Sequence, residues 1–120
     1  VHSDNYYGTA KKEIMDALES GNVVVREVDI QGFNSIKNLV PAENLISIFM
    51  KVTDEEDLKQ RILRRGQISD EELSKRMESA RKELAQADEC NYQVENRWGE
   101  VMQCVTIVER IVLTEIKDLY

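Results

Sequence analysis

Apolar and polar positions change their spacing several times along the chain, and each change predicts a new element. Ile14 and Leu18 lie four residues apart, as on one face of a helix. Thr9 can serve as the N-cap of that helix, and Gly21 ends it. The first predicted element is therefore a helix from Thr9 to about Glu19.

Three segments show the β-branched or apolar runs that are typical of strands. These segments are Asn22–Ile30, Asn44–Val52 and the shorter Asn91–Asn96. The first two lack a clean alternation of apolar and polar residues, which predicts burial on both faces, as in a parallel sheet.

Helical patterns separate these strands. A short helix is predicted from Gln31 to Leu39, ending before Pro41. Residues 53–65 form the next, with Thr53 and Glu56 spaced as a capping box and Gly66 as the break.

Two longer helices complete the pattern. Ser69 and Glu72 repeat the capping box before an apolar stripe formed by Leu73, Met77, Ala80 and Leu84. A last helix is predicted from Trp98 to Asp118, with its stripe at Val101, Val105, Val108 and Val112. Trp98 and Met102 are interpreted as core residues.

The order α-β-α-β-α-α-β-α predicts an α/β domain with a mainly parallel sheet flanked by helices. A chain of 120 residues is the size of one domain. Doubly wound sheets usually open on a strand and contain more than three, so this order suggests part of a larger sheet.

Composition narrows the classes of function. The net charge of −7 disfavours general binding to nucleic acid, and no apolar run is long enough to span a membrane. Cys90 and Cys104 form no CxxC pair, so no zinc site is predicted, and thiols without a secretion signal favour a cytoplasmic protein.

Acidic residues follow the first predicted strand. Glu27 and Asp29 share a face near its carboxyl end, where open α/β sheets bind ligands. They could bind hydrated Mg²⁺ or a nucleobase, or Asp29 could simply cap the helix that follows.

Three arginines could form an anion site. Arg61 and Arg65 lie four residues apart on one helix, and Arg76 follows Gly66 on the next. The planar guanidinium binds phosphate oxygens in pairs. The alternative is a solvated helix surface with pairs such as Glu72–Arg76.

Two further segments carry polar groups that could contact a ligand. Tyr7 lies in the segment N-Y-Y-G-T, which is either a turn packed on the domain or a source of hydroxyl donors to phosphate. Asn96 follows the third strand, where its amide could contact a base.

Taken in order, these motifs resemble those of guanylate kinases. The chain carries N-Y-Y-G-T, V-V-V-R-E-V-D-I-Q-G, L-I-S-I-F-M, D-L-K-Q-R-I-L-R-R-G, K-R-M and Y-Q-V-E-N. The resemblance implies an incomplete fold of the P-loop nucleoside monophosphate kinases with a helical lid around residues 61–76. Residues 1–21 would end the GMP-binding region, and residues 22–120 would form the core and lid.

The resemblance also implies roles for individual residues. It places Tyr7, Thr9, Glu27 and Asp29 at GMP, with Asp29 near Mg²⁺ through water. Arg61, Arg65 and Arg76 would clamp the transferring phosphates, and Asn96 with the first two arginines would contact ATP. The implied reaction transfers the γ-phosphoryl group of MgATP to GMP. A non-catalytic, guanylate-kinase-like protein-binding module is the alternative.

Some positions depart from the family's pattern. Asp4 replaces a usual glycine, Arg64 a smaller residue, and the stretch before Asn96 is unusually polar. The chain contains no G-x-x-x-x-G-K-[ST] phosphate-binding loop. We therefore expect the chain alone to be inactive, and to associate with a missing N-terminal part or with itself through exposed strand edges.

Overall fold

Two short parallel strands form the sheet of the computed structural model, which describes the backbone of residues 2–117 and the side chains of residues 11–117. Strand β1 (Ile48–Lys51) pairs with β2 (Tyr92–Glu95) in a register that places Met50 opposite Val94. The chain divides between Leu45 and Ile46 into two units. The mixed helix and parallel-sheet class agrees with the prediction.

The first unit contains α1 (His2–Ser20), α2 (Ile30–Leu39) and a 3₁₀ turn at Ala42–Asn44. Gly21 ends α1 as predicted, with φ of 71° and a hydrogen bond of 2.9 Å from the Asn22 N–H to the Ala17 carbonyl. Helix α2 matches its predicted bounds within one residue.

The predicted start of α1 is wrong. The helix already includes residues 2–8, so Thr9 lies inside it rather than at its N-cap. This segment contains no proline, and the single Gly8 costs a helix only about 1 kcal/mol, which does not stop it.

The first predicted strand is also absent from the described residues. Residues 22–29 form neither strand nor helix, and Val23, Val24 and Val25 are 41%, 41% and 73% exposed. β-Branched residues favour strand geometry, but a strand needs a neighbour to pair its backbone groups, and none lies beside this segment in the described structure.

The second unit connects its parallel strands through α3 (Glu55–Arg64) and α4 (Asp70–Ala85), then a 3₁₀ turn at Ala87–Glu89. The apolar stripe of α4 faces inward as predicted, with Met77 buried and Leu73, Ala80 and Leu84 half-buried. The core of this second unit also includes the buried Ala87, Val94 and Cys104.

Helix α5 (Val101–Lys117) packs on β2, and its predicted stripe is only partly correct, since Val108 and Val112 are half-buried. Cys104 is buried, whereas Val101 and Val105 are exposed, as are Trp98 and Met102. The Tyr92 hydroxyl donates to the Glu115 carboxylate, which joins β2 to this helix. The helix begins after Gly99, whose φ of 79° interrupts the helical path, so Trp98 precedes it.

The N-caps show which capping signals were correct. Ser69 caps α4 as predicted, its hydroxyl accepting from the Glu72 N–H at 3.1 Å. Asp54, not Thr53, caps α3 by accepting from the Asp57 N–H at 3.0 Å. The Thr53 hydroxyl instead donates to Glu95, beside the end of β2.

None of the helices within residues 2–117 combines the length and apolarity that crossing a membrane requires.

The Ser69 cap leads to a first prediction. Ser69→Ala should lower the free energy of unfolding by about 1 kcal/mol, because the Glu72 N–H loses its acceptor. Urea denaturation followed by circular dichroism measures the change. The control Ser79→Ala, exposed in the same helix, should change stability by less than about 0.5 kcal/mol. Equal effects of the two variants would contradict the capping role.

Candidate functional site

Asp57 is the centre of a polar cluster beside the carboxyl end of β2. Its Oδ1 accepts from Arg61 Nε at 2.7 Å, and its Oδ2 accepts from Arg61 Nη2 at 3.0 Å and from the Trp98 N–H at 3.1 Å. Arg61 Nη2 also donates to the Asn96 carbonyl at 2.5 Å. The cluster thus connects α3 with the loop after β2 and brings together two predicted site residues, Arg61 and Asn96.

This pair is well shielded from solvent. The side chains of Arg61 and Asp57 are 22% and 13% exposed, and they make a two-bond fork of the kind that fixes both orientation and charge. An arginine–carboxylate pair in this setting is more rigid than one on an open helix surface.

Arg64 and Trp98 form the outer side of the cluster. The Arg64 guanidinium carbon lies 3.6 Å from the centroid of the Trp98 ring, and that of Arg61 lies 5.9 Å away. The indole is 60% exposed, so its interpretation as a core residue was wrong. Trp98 is instead a partner for arginine through cation–π contact.

The arginines keep Asp57 ionised. Hydrogen bonding to Arg61 is the main cause that lowers the pKa of Asp57; the Trp98 N–H and the charges of Arg61 and Arg64 act in the same direction, against partial desolvation. The sequence carried a signal for this pair in its spacing of four residues on one helix, but not for the Trp98 contact.

Asn96 lies where the sequence predicted, directly beyond β2. Its N–H donates to the Lys51 carbonyl at 2.8 Å, while its own carbonyl accepts from Arg61. Beside it, Glu95 Oε1 accepts from the Thr53 N–H at 3.1 Å and from the Thr53 hydroxyl. The ends of β1 and β2 are therefore held together by polar contacts as well as by the ladder.

The other two predicted arginines differ from Arg61. Arg65 directly follows α3, and within the described residues its side chain has no ion pair or hydrogen bond. Arg76 donates to Glu72 at 2.9 Å, with both side chains about half exposed. The intrahelical pair considered as the alternative for Arg76 is thus present, and Arg65 is the more available guanidinium.

A second ion pair joins α3 to α4. Arg81 Nε donates to Glu55 Oε1 at 2.6 Å. The hydrogen bond with Arg81 lowers the pKa of Glu55, and the same bond raises the pKa of Arg81. Both side chains are more than half exposed, so this contact positions the two helices less firmly than the Asp57 cluster positions the loop.

The predicted residues of the first unit fall into two groups. The side chains of Tyr7 and Thr9 lie outside the described residues. Glu27 and Asp29 lie in the segment before α2, and Asp29 Oδ1 caps that helix by accepting from the Gly32 N–H at 2.7 Å. The capping role that the sequence left open for Asp29 is therefore present.

No group of three or more histidine, cysteine or acidic side chains in the described part of the chain could hold a metal ion. A metal ion beside the described residues would depend on oxygens from a bound ligand and on water, as Mg²⁺ commonly does.

The unequal surroundings of the arginines lead to a prediction on stability. Arg61→Ala should lower Tm by several degrees, because it leaves the shielded Asp57 carboxylate with the Trp98 N–H as its one remaining donor and removes the Arg61 donor from the Asn96 carbonyl. Arg76→Ala, the matched control, should shift Tm little, because its pair is exposed. Differential scanning calorimetry measures both values, and equal shifts would argue against the structural role of Arg61.

The depressed pKa of Asp57 leads to a prediction on pH. The charged carboxylate stabilises the fold above the unfolded-state pKa, and this stabilisation is lost as the pH falls below about 3.8 toward the folded-state pKa. The pKa of Glu55 is also lowered, so its carboxylate likewise stabilises the fold at higher pH and loses this effect in acid. Tm measured against pH should therefore decline less steeply in acid for Asp57→Asn than for the wild type. Glu56→Gln, which removes a charge from the same helical turn, should retain the wild-type slope; a wild-type slope for Asp57→Asn would refute the assignment.

Comparisons of the sequence with known proteins identify its family. The guanylate kinase family model matches residues 1–114. Guanylate kinases from Caldanaerobacter subterraneus subsp. tengcongensis, Gloeobacter violaceus and Clostridium perfringens are 40%, 39% and 39% identical over 98%, 95% and 92% of this chain. The alignments cover 58%, 54% and 50% of those proteins, so the chain spans about half the length of the curated relatives it matches. By its sequence over nearly its whole length, the chain belongs to the guanylate kinase family.

Proposed function

We propose that this chain forms the part of a cytoplasmic guanylate kinase that binds GMP and covers the phosphates of ATP. In the reaction, the bond between the γ-phosphorus and the bridging oxygen of ATP breaks, and a GMP phosphate oxygen bonds to that phosphorus. The products are GDP and ADP. The observation that carries the proposal is the contact between Arg61 and Asn96 beside the carboxyl end of β2, where ligands of open α/β sheets bind.

The arginines would neutralise the charge that spreads over the transferring group. Phosphoryl transfer depends mainly on positioning and on stabilising negative charge, and guanidinium groups do both. Arg65 is exposed, and of the three it alone has no ion pair or hydrogen bond with a described residue. Arg76 would exchange its exposed bond to Glu72 for a phosphate oxygen. Arg61 and Arg65 would act on the ATP side with Asn96.

Tyr7, Thr9, Glu27 and Asp29 would form the GMP side. The hydroxyl groups of Tyr7 and Thr9 would contact the phosphate and the guanine, and the acidic pair would accept from the N–H groups of the base. Mg²⁺ would arrive with ATP, held mainly by phosphate oxygens and water, with Asp29 accepting from one of those waters. The metal would supply positive charge that neutralises the phosphates of ATP.

A chimaeric enzyme tests this proposal. The chain would replace the 121-residue matching segment of the Caldanaerobacter guanylate kinase, and GDP formation from MgATP and GMP would be measured. We expect the chimaera to be active and the 120-residue chain alone to form no GDP. An inactive but folded chimaera would refute the proposed function.

Two variants of the chimaera test the named residues. Asp29→Asn should lower turnover by at least about tenfold, while asparagine, itself a good N-cap, keeps α2 capped. Arg65→Ala should cost a similar factor without loss of stability, because the side chain has no partner in the described chain. Lys82→Ala is the control, since its pair with Glu78 is exposed and remote in sequence from both. A variant whose turnover equals that of Lys82→Ala would show that the substituted residue does not belong to the site.

A further inference from the structure

Arg61 has five N–H donors, and the structure accounts for three of them. The Nε–H donates to Asp57, and the two hydrogens of Nη2 serve Asp57 and the Asn96 carbonyl. In the described chain, Nη1 makes no hydrogen bond. The Nε and Nη2 donors therefore fix the guanidinium, while the two N–H donors of Nη1 remain for another acceptor.

We infer that Asp57 is a positioning residue that holds Arg61 so that its Nη1 donors bind a phosphate oxygen of ATP. This inference rests on the proposed function, because the ligand is taken from it. Asp57 itself would touch no substrate and would act only through Arg61.

The geometry explains why a carboxylate is needed at position 57. Its two oxygens accept three hydrogen bonds, two from Arg61 and one from the Trp98 N–H. An asparagine offers one oxygen, and its amide nitrogen would meet guanidinium donors instead of accepting from them. Arg61 would then lose the fork that sets its direction, although its charge would remain.

The placement of the pair supports the same conclusion. Arg61 contacts residue 96 across 35 positions of sequence, and Asp57 contacts the Trp98 backbone across 41. These contacts fix the Arg61 side chain to the loop after β2 as well as to its own helix, α3. An arginine fixed from two elements loses less conformational freedom on binding a phosphate than one that is fixed from its own helix alone.

The experiment uses the chimaeric enzyme described above and compares it with its Asp57→Asn variant and with the control Glu56→Gln. Glu56 lies in the same turn and bonds only to Gln60, so its variant removes an equal charge without affecting Arg61. NMR follows the Arg61 Nε–H resonance, which is visible near neutral pH when a bound acceptor slows its exchange with water. Calorimetry measures the dissociation constant for MgATP.

We expect Asp57→Asn to lose the Arg61 Nε–H resonance and to bind MgATP about tenfold more weakly, the loss that corresponds to one hydrogen bond to a charged group. Glu56→Gln should retain both properties. A retained resonance in Asp57→Asn, or a lost resonance with unchanged affinity, would overturn the inference. An unsubstituted chimaera that is folded but does not bind MgATP would instead overturn the proposed function, and with it the ligand assigned to Nη1.

If Asp57→Asn does not fold, Arg61→Lys provides the same test. Lysine keeps the positive charge but has no fork and only three donors, so it cannot bond to Asp57 and Asn96 and still offer two further N–H groups. A roughly tenfold weaker affinity for MgATP is expected, and wild-type affinity would overturn the inference.

Discussion

Parallel pairing of β1 with β2 is the constraint on which the second unit depends. Parallel strands cannot be joined by a tight turn, so the chain between Lys51 and Tyr92 must travel back along the sheet, and it does so as α3 and α4. The same pairing places the carboxyl ends of both strands at one edge. The polar contacts of Thr53, Glu95 and Asn96 are gathered there for that reason, and α3 starts close enough to add Asp57 and Arg61.

Helix starts and ends create a local separation of charge in an acidic protein. Asp54 caps α3, and Glu55, Glu56 and Asp57 follow in its first turn, where the helix dipole favours negative charge. Arg61 and Arg64 lie in its last turn, where the dipole favours positive charge, and Arg65 follows. A chain with a net charge of −7 thus places three guanidinium groups at one helix end, an arrangement that would suit the anionic substrates of the proposed function.

The sequence predicted most helices, both strands of the sheet and the inward face of α4, because their apolar spacing and caps are local signals. It failed where the outcome depends on distant partners. Residues 22–29 have strand propensity but no neighbour; Thr53 has a capping hydroxyl, but Glu95 accepts from it. Trp98 is large and apolar, yet the turn at Gly99 separates it from α5 and places it under Arg64. Site residues were identified by resemblance, whereas Asp57 became evident only from its contacts.

The stack of Trp98 with Arg64 has a practical consequence for studies of folding. Trp98 is the single tryptophan of the chain, and it lies in the second of the two units. Indole fluorescence therefore reports on residues 46–120 alone, and its emission is sensitive to the guanidinium at 3.6 Å. Far-ultraviolet circular dichroism, by contrast, sums the helices of both units. If the two optical signals change at one temperature, the units melt as a single cooperative block, and if they separate, each unit has a stability of its own.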